Sequence, residues 1–92
     1  MRMSLVVDLS SVWREEYFRI YGNIDKLCRK LNIIYNINTK FQYSQYKVTL
    51  IFIDAKGDVF KIIREYHSDE YYATREAIRM GVRYLCLENH IR

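Results

Sequence analysis

The amino-acid sequence predicts an α+β domain with elements in the order β-α-β-β-β-α, an antiparallel sheet carrying two helices packed on one face. Three observations predict it. Runs that alternate apolar and polar residues occur near positions 3–9 and 33–43 and on both arms of a hairpin between 46 and 66. Stripes of apolar or small residues recur at three- and four-residue steps between 13 and 31 and again between 73 and 85. The chain has 92 residues, 50% of them hydrophobic, with no proline and no low-complexity stretch to act as a linker, which suits one domain over its whole length.

The first strand is expected over roughly residues 3–9, where Met3, Leu5, Val7 and Leu9 alternate with Ser4, Val6 and Asp8. Ser10 or Ser11 then offers an N-cap, and Glu15 and Glu16 follow where carboxylates favour the positive end of a helix. Trp13, Tyr17, Ile20, Ile24, Leu27 and Leu31 form the buried stripe of that helix. Gly22-Asn23 is its weak point, where a kink or split is expected, because glycine costs about 1 kcal/mol in a helix interior. The second strand runs from Ile33 to Tyr43, its apolar residues at odd positions and Asn36, Asn38, Lys40 and Gln42 between them, with a turn or bulge near Ser44-Gln45.

The segment YKVTLIFIDAKGDVFKIIREY reads as a hairpin closed by Ala55-Lys56-Gly57, with Gly57 in the left-handed conformation. Pairing Asp54 with Asp58 sets Phe52 opposite Phe60, Leu50 opposite Ile62, Tyr46 opposite Tyr66 and Lys47 opposite Glu65. Ser68 is the expected cap of the last helix, with Asp69 and Glu70 in its first turn. Ala73, Ala77 and Gly81 let that helix approach a sheet closely, with Ile78, Val82 and Leu85 on the flank. A second arrangement ends the helix at Gly81 and makes VRYLCLE a final strand, giving a ferredoxin-like βαββαβ fold.

No catalytic constellation emerges. His67 and His90 lack nearby ligands at metal-binding spacing, the serines stand in no nucleophile-elbow context, and phosphate-binding glycine loops are missing. Asp54 and Asp58 flank a tight hairpin, where acidic residues serve turn geometry. Cys28 and Cys86 are too far apart in sequence for a zinc knuckle or CxxC pair and read as reduced packing residues. No cofactor, no metal and no enzymatic activity are expected. The opening MRMSLVVDLSSVW holds too short an apolar run for a signal sequence or membrane span, so the expected location is cytoplasmic and no membrane contact is expected.

The formal charge of +4 has a pattern. Opposite the buried stripe of the first helix lie Arg19, Lys26 and Lys30, with Arg29 nearby; Arg75, Arg79 and Arg83 step along the outer side of the last helix. Helices on one side of a sheet bring such ridges together, where they can follow a phosphate backbone. Glu15 and Glu76 stand at helical spacing from Arg19 and Arg79 and compete for them. Of the tyrosines, Tyr17, Tyr35, Tyr43, Tyr46 and Tyr66 fall on apolar faces, while Tyr72 lies off the buried arc and is the candidate for stacking on a base. The other hairpin face, with Thr49, Ile51, Ile53, Val59 and Ile63 around Lys47, Lys61 and Glu65, is too apolar for open solvent.

With this order of elements and this length, the chain resembles the short ribosome hibernation-promoting factors. The best local match is HSDEYYATREAIRMGVRYL, through Asp69, Tyr72, Ala73 and Ala77. From Ile33 onward it is more loosely similar to double-stranded-RNA-binding domains. It departs from the first family in DLSSVW, which has no glycine, and from the second in Glu70, Tyr71 and Thr74, which replace a lysine cluster.

Two readings follow. The first is a small RNA- or ribosome-associated binding module that uses Arg75, Arg79, Arg83, Arg19, Lys26, Arg29, Lys30 and Tyr72. The second is a protein-docking or inhibitor module, of viral or mobile-element type, that forms a homodimer or meets a protein partner through Ile51, Ile53, Val59 and Ile63.

Overall fold

A computed structural model of the chain describes residues 21–89. The strand expected at 3–9, the part of the first helix expected before residue 21, Arg19 and His90 lie outside the described residues. Within them the order is helix α1 (residues 21–31), β1 (Ile34–Gln42), β2 (Gln45–Ile53), β3 (Val59–His67) and helix α2 (Glu70–Glu88). The strands form an antiparallel meander, β1-β2-β3, so β2 is the central strand.

Residues 21–31 are helical without interruption, Gly22 and Asn23 included, because both face away from the core. Asn32 ends α1 at φ 58°, a left-handed conformation that asparagine tolerates. There the Ile33 amide donates to the Cys28 carbonyl (2.8 Å) and the Asn32 amide to Arg29 (3.2 Å), satisfying carbonyls the helix leaves open.

The two hairpins turn by different chemistry. Between β1 and β2 the chain reverses through Tyr43 (φ 53°) and Ser44 (φ 62°), the geometry of a type I′ turn without its usual asparagine and glycine. Tyr43 is thus projected into solvent, 90% exposed, and not packed as its parity suggested. Between β2 and β3, Gly57 adopts φ 91° as expected. The Asp54 carboxylate accepts from the amides of Lys56 (2.9 Å) and Asp58 (3.0 Å), and the Asp54 amide donates to the Asp58 carbonyl (2.9 Å).

The register beyond this loop differs from expectation. Ile53 pairs with Val59 but Phe52 pairs with Lys61, so Phe60 is an extra residue bulging from β3. Every later partner moves by one: Leu50 faces Ile63, Val48 faces Glu65, Lys47 faces Tyr66 and Tyr46 faces His67. The reason is local. The Ile62-Ile63 doublet offers an isoleucine to the core in either phase, so alternation does not choose, and the bulge keeps the Phe60 ring stacked on Phe52 (centroids 6.1 Å apart). Ile63, Lys61 and Glu65 consequently turn toward the helices, while Ile62, Arg64 and the exposed Tyr66 take the opposite face.

Both helices pack on the face of the sheet that carries Val48, Leu50 and Phe52. These join Ile24 and Cys28 of α1 and Ala73, Ala77, Ile78 and Leu85 of α2 in one buried core, flanked by Tyr35, Ile37 and Ile63. Burying an aliphatic or aromatic side chain of this size stabilises a fold by about 1.5–3 kcal/mol. Helix α2 is capped by Asp69 rather than Ser68: its carboxylate accepts from the Tyr72 amide at 2.8 Å. The helix runs unbroken through Gly81 to Glu88, so the ferredoxin-like alternative with a strand at VRYLCLE does not form. Gly81 is in the buried stripe, where its missing side chain is what admits Leu50 and Phe52.

Candidate functional site

Because both helices cover the same sheet face, their outer surfaces form one layer. Lys26, Arg29 and Lys30 of α1 and Arg75, Arg79 and Arg83 of α2 are exposed on it. They are not equally free. Arg29 pairs with Asp25 one turn earlier (3.0 Å), and Arg79 clasps Glu76 with Nη2 at 2.8 Å and Nε at 3.3 Å. Arg75 is 3.9 Å from the same carboxylate. The Arg79 hydrogen bond holds the Glu76 carboxyl below its usual pKa, with the charges of Arg79 and Arg75 adding to the effect. Among the described residues Lys26, Lys30 and Arg83 have no ion-pair partner.

Tyr72 stands at the start of this layer, half exposed. Its ring packs on His67 with centroids 4.3 Å apart, and the Arg75 guanidinium lies 5.6 Å from its centroid. One aromatic face with an adjacent cation is an arrangement suited to a stacked base beside a phosphate.

The opposite sheet face carries no layer among the described residues. Cross-strand register lines up Ile34 with Ile53 and Val59, and Ile51 with Ile62. Ile34 is 63% exposed, Val59 53% and Ile62 41%, so this end of the face is an apolar patch; Lys40, Lys47 and Arg64 make the other end basic. Ile51, Ile53 and Val59 are therefore together as expected, but Ile63 is on the helix side and half buried. Ile34 and Ile62 were missed. The first could have been found from the parity of β1, the second only from the bulge.

A third feature lies along the edge of β3 that borders no other strand among the described residues. A cleft of about 280 Å³ is bounded by Lys61, Ile62 and Ile63 and by Met80, Arg83, Tyr84 and Leu87 of α2. The Lys61 ammonium rests 4.8 Å from the centroid of the Tyr84 ring, which itself stacks on Phe52. At the hairpin end, a shallower cleft of about 380 Å³ lies between Phe60, Tyr84, Asp54 and Glu88.

Cys28 is buried, and burial first, then the nearby Asp25 charge, pushes its thiol up to about 11. It forms no disulfide. Among the described residues no group of three or more His, Cys, Asp or Glu converges as metal ligands, and no helix is long and apolar enough to cross a membrane. Comparison with protein-family models, with curated proteins and with solved structures gave no match.

Proposed function

We propose that this chain is a non-enzymatic binding module that holds RNA, free or within a ribosome, through the outer surface of its helical layer. The observation that carries the reading is that both cationic ridges lie on helices covering one sheet face, with Lys26, Lys30 and Arg83 free of carboxylates among the described residues. Cations so arranged gain affinity by releasing counterions from a phosphate backbone, with little reading of sequence. Tyr72 beside Arg75 adds one stacking platform at the edge of the layer. The resemblance of the sequence to hibernation-promoting factors and RNA-binding domains points the same way, and a cytoplasmic location belongs to the same proposal.

The test is RNA binding as a function of salt. Affinity for a structured RNA should fall steeply as salt rises, and the double substitution Arg79→Glu with Arg83→Glu should weaken it while leaving the circular dichroism unchanged. A flat salt response would remove the reading.

A second reading is favoured by the apolar patch of Ile34, Ile51, Ile53, Val59 and Ile62, whose members adjoin across three strands rather than standing singly. It makes the chain a protein-docking module that works through the outer sheet face. Polar residues at Ile51 and Val59 should then abolish recovery of a partner, with the arginine substitutions having no effect. Recovery that survives Ile51→Thr with Val59→Thr would exclude it.

A further inference from the structure

The cleft beside β3 is bounded by three consecutive strand residues, Lys61, Ile62 and Ile63. Successive side chains of a strand point to opposite faces, so a cavity that meets all three meets the strand edge-on, along its backbone. Among the described residues β3 borders no strand but β2, which leaves a row of amides and carbonyls on that edge unpaired. The helix wall of the cleft is open and mixed: Met80 and Leu87, 40% and 67% exposed, stand on the flank of α2 nearest β3 together with Tyr84 and Arg83.

The sequence of β3 identifies an occupant. Strand Val59–His67 is centred on Ile63, and an antiparallel copy laid against it about that centre sets Lys61 opposite Glu65 and Ile62 opposite Arg64, the match stopping at the Phe60 bulge. Lys61 and Glu65 both point to the helix side, as directly opposed residues in a sheet must. Neither makes an ion pair within 4 Å among the described residues; Glu65 feels the more distant Arg79 charge and Lys61 rests over the Tyr84 ring. Two copies so placed set Lys61 against Glu65 twice, along the regular stretch from Lys61 to Glu65 that follows the Phe60 bulge.

The helices fit the same arrangement. Antiparallel edge pairing puts the two-fold axis perpendicular to the sheet, so both α2 helices lie on one side of it. Helix α2 packs on both β2 and β3. Met80 and Leu87 lie on the flank that each copy would turn toward the other.

We propose that the protein forms a homodimer by antiparallel pairing of β3 with its copy about Ile63, joining two sheets into one and closing the cleft with α2 against α2. The dimer brings two Arg75-Arg79-Arg83 ridges side by side, but its existence does not depend on RNA binding and is measured without any ligand.

The test uses the full chain and charge reversal. Sedimentation should give twice the 11.2 kDa chain mass for the wild type. Lys61→Glu sets glutamates against glutamates, Glu65→Lys sets lysines against lysines, and each variant alone should sediment as one chain. Mixing the two, or combining both changes in one chain, restores opposite charges in this register and should restore the dimer mass. A wild type that stays monomeric, or a dimer indifferent to both reversals, overturns the proposal. If either variant unfolds, hydrogen exchange of the wild type decides: amides along the outer edge of β3 must gain protection as concentration rises, and equal exchange at all concentrations refutes the dimer.

Discussion

A Cβ placed on Gly81 would stand 2.6 Å from Cδ2 of Leu50, closer than any two carbons can pack. The same atom would be 3.0 Å from Cζ of Phe52. Helix α2 therefore touches the central strand at the one position where it has no side chain, and the distance between the helical layer and the sheet is set there.

Gly81→Ala should destabilise the protein although alanine is the better helix former. The helix gains about 1 kcal/mol, but overpacking a closed core costs about 1–3 kcal/mol, and Leu50 and Phe52, both fully buried, must shift within that core. A lower urea midpoint with an unchanged slope would agree; a higher midpoint would show that the core yields.

Tyr43 and Ser44 are the reverse case, a turn whose residues oppose its geometry. The double substitution Tyr43→Asn with Ser44→Gly should raise stability by about 0.5–1 kcal/mol, because a type I′ turn needs positive φ at both places. The melting temperature reads this directly, and Tyr43 is exposed enough that no packing is lost.

The Asp54 loop should be more sensitive. Asp54→Ala removes the acceptor for two amides and should cost about 1–2 kcal/mol, whereas Asp58→Ala, whose contribution to the loop is a backbone amide and carbonyl, should cost far less. Equal losses in chemical denaturation would contradict this account of the turn.

Cys28 links stability to alkaline pH. Its folded pKa of about 11 lies above the ordinary 9.0, so the thiol's contribution is complete below pH 9 and is lost as the pH rises toward 11, where the unfolded chain ionises and the folded one resists. Melting measured from pH 8 to 11 should fall through that window. The fall should be shallower in Cys28→Ala, though not abolished, since burial also raises Tyr21 and Tyr35.

Glu76 restrains the α2 ridge, and its removal tests the RNA reading by gain rather than loss. Glu76→Gln releases Arg79 and Arg75 and should tighten RNA binding by several-fold at low salt, with the advantage fading as salt rises. Unchanged affinity across the salt range would show that the ridge makes no contact with phosphate.

The sequence by itself determined the elements whose cause is local. The Ala73-Ala77-Gly81 spacing required a helix lying close on a sheet, Gly57 after Asp54 required the tight loop, and the odd-position apolar residues of β1 chose its buried face. It also placed Arg75, Arg79 and Arg83 outside the core, since three- and four-residue periodicity fixes both sides of a helix at once. Tertiary structure decided what alternation leaves degenerate. The bulge at Phe60 turned Ile63, Lys61 and Glu65 toward the helices and Ile62, Arg64 and Tyr66 away, a choice that alternation leaves open because a doublet of isoleucines fills the core equally well in either phase. The cleft along β3 follows from that choice. It depends on where a helix distant in sequence comes to rest beside a strand edge, and no periodicity within either segment encodes their separation.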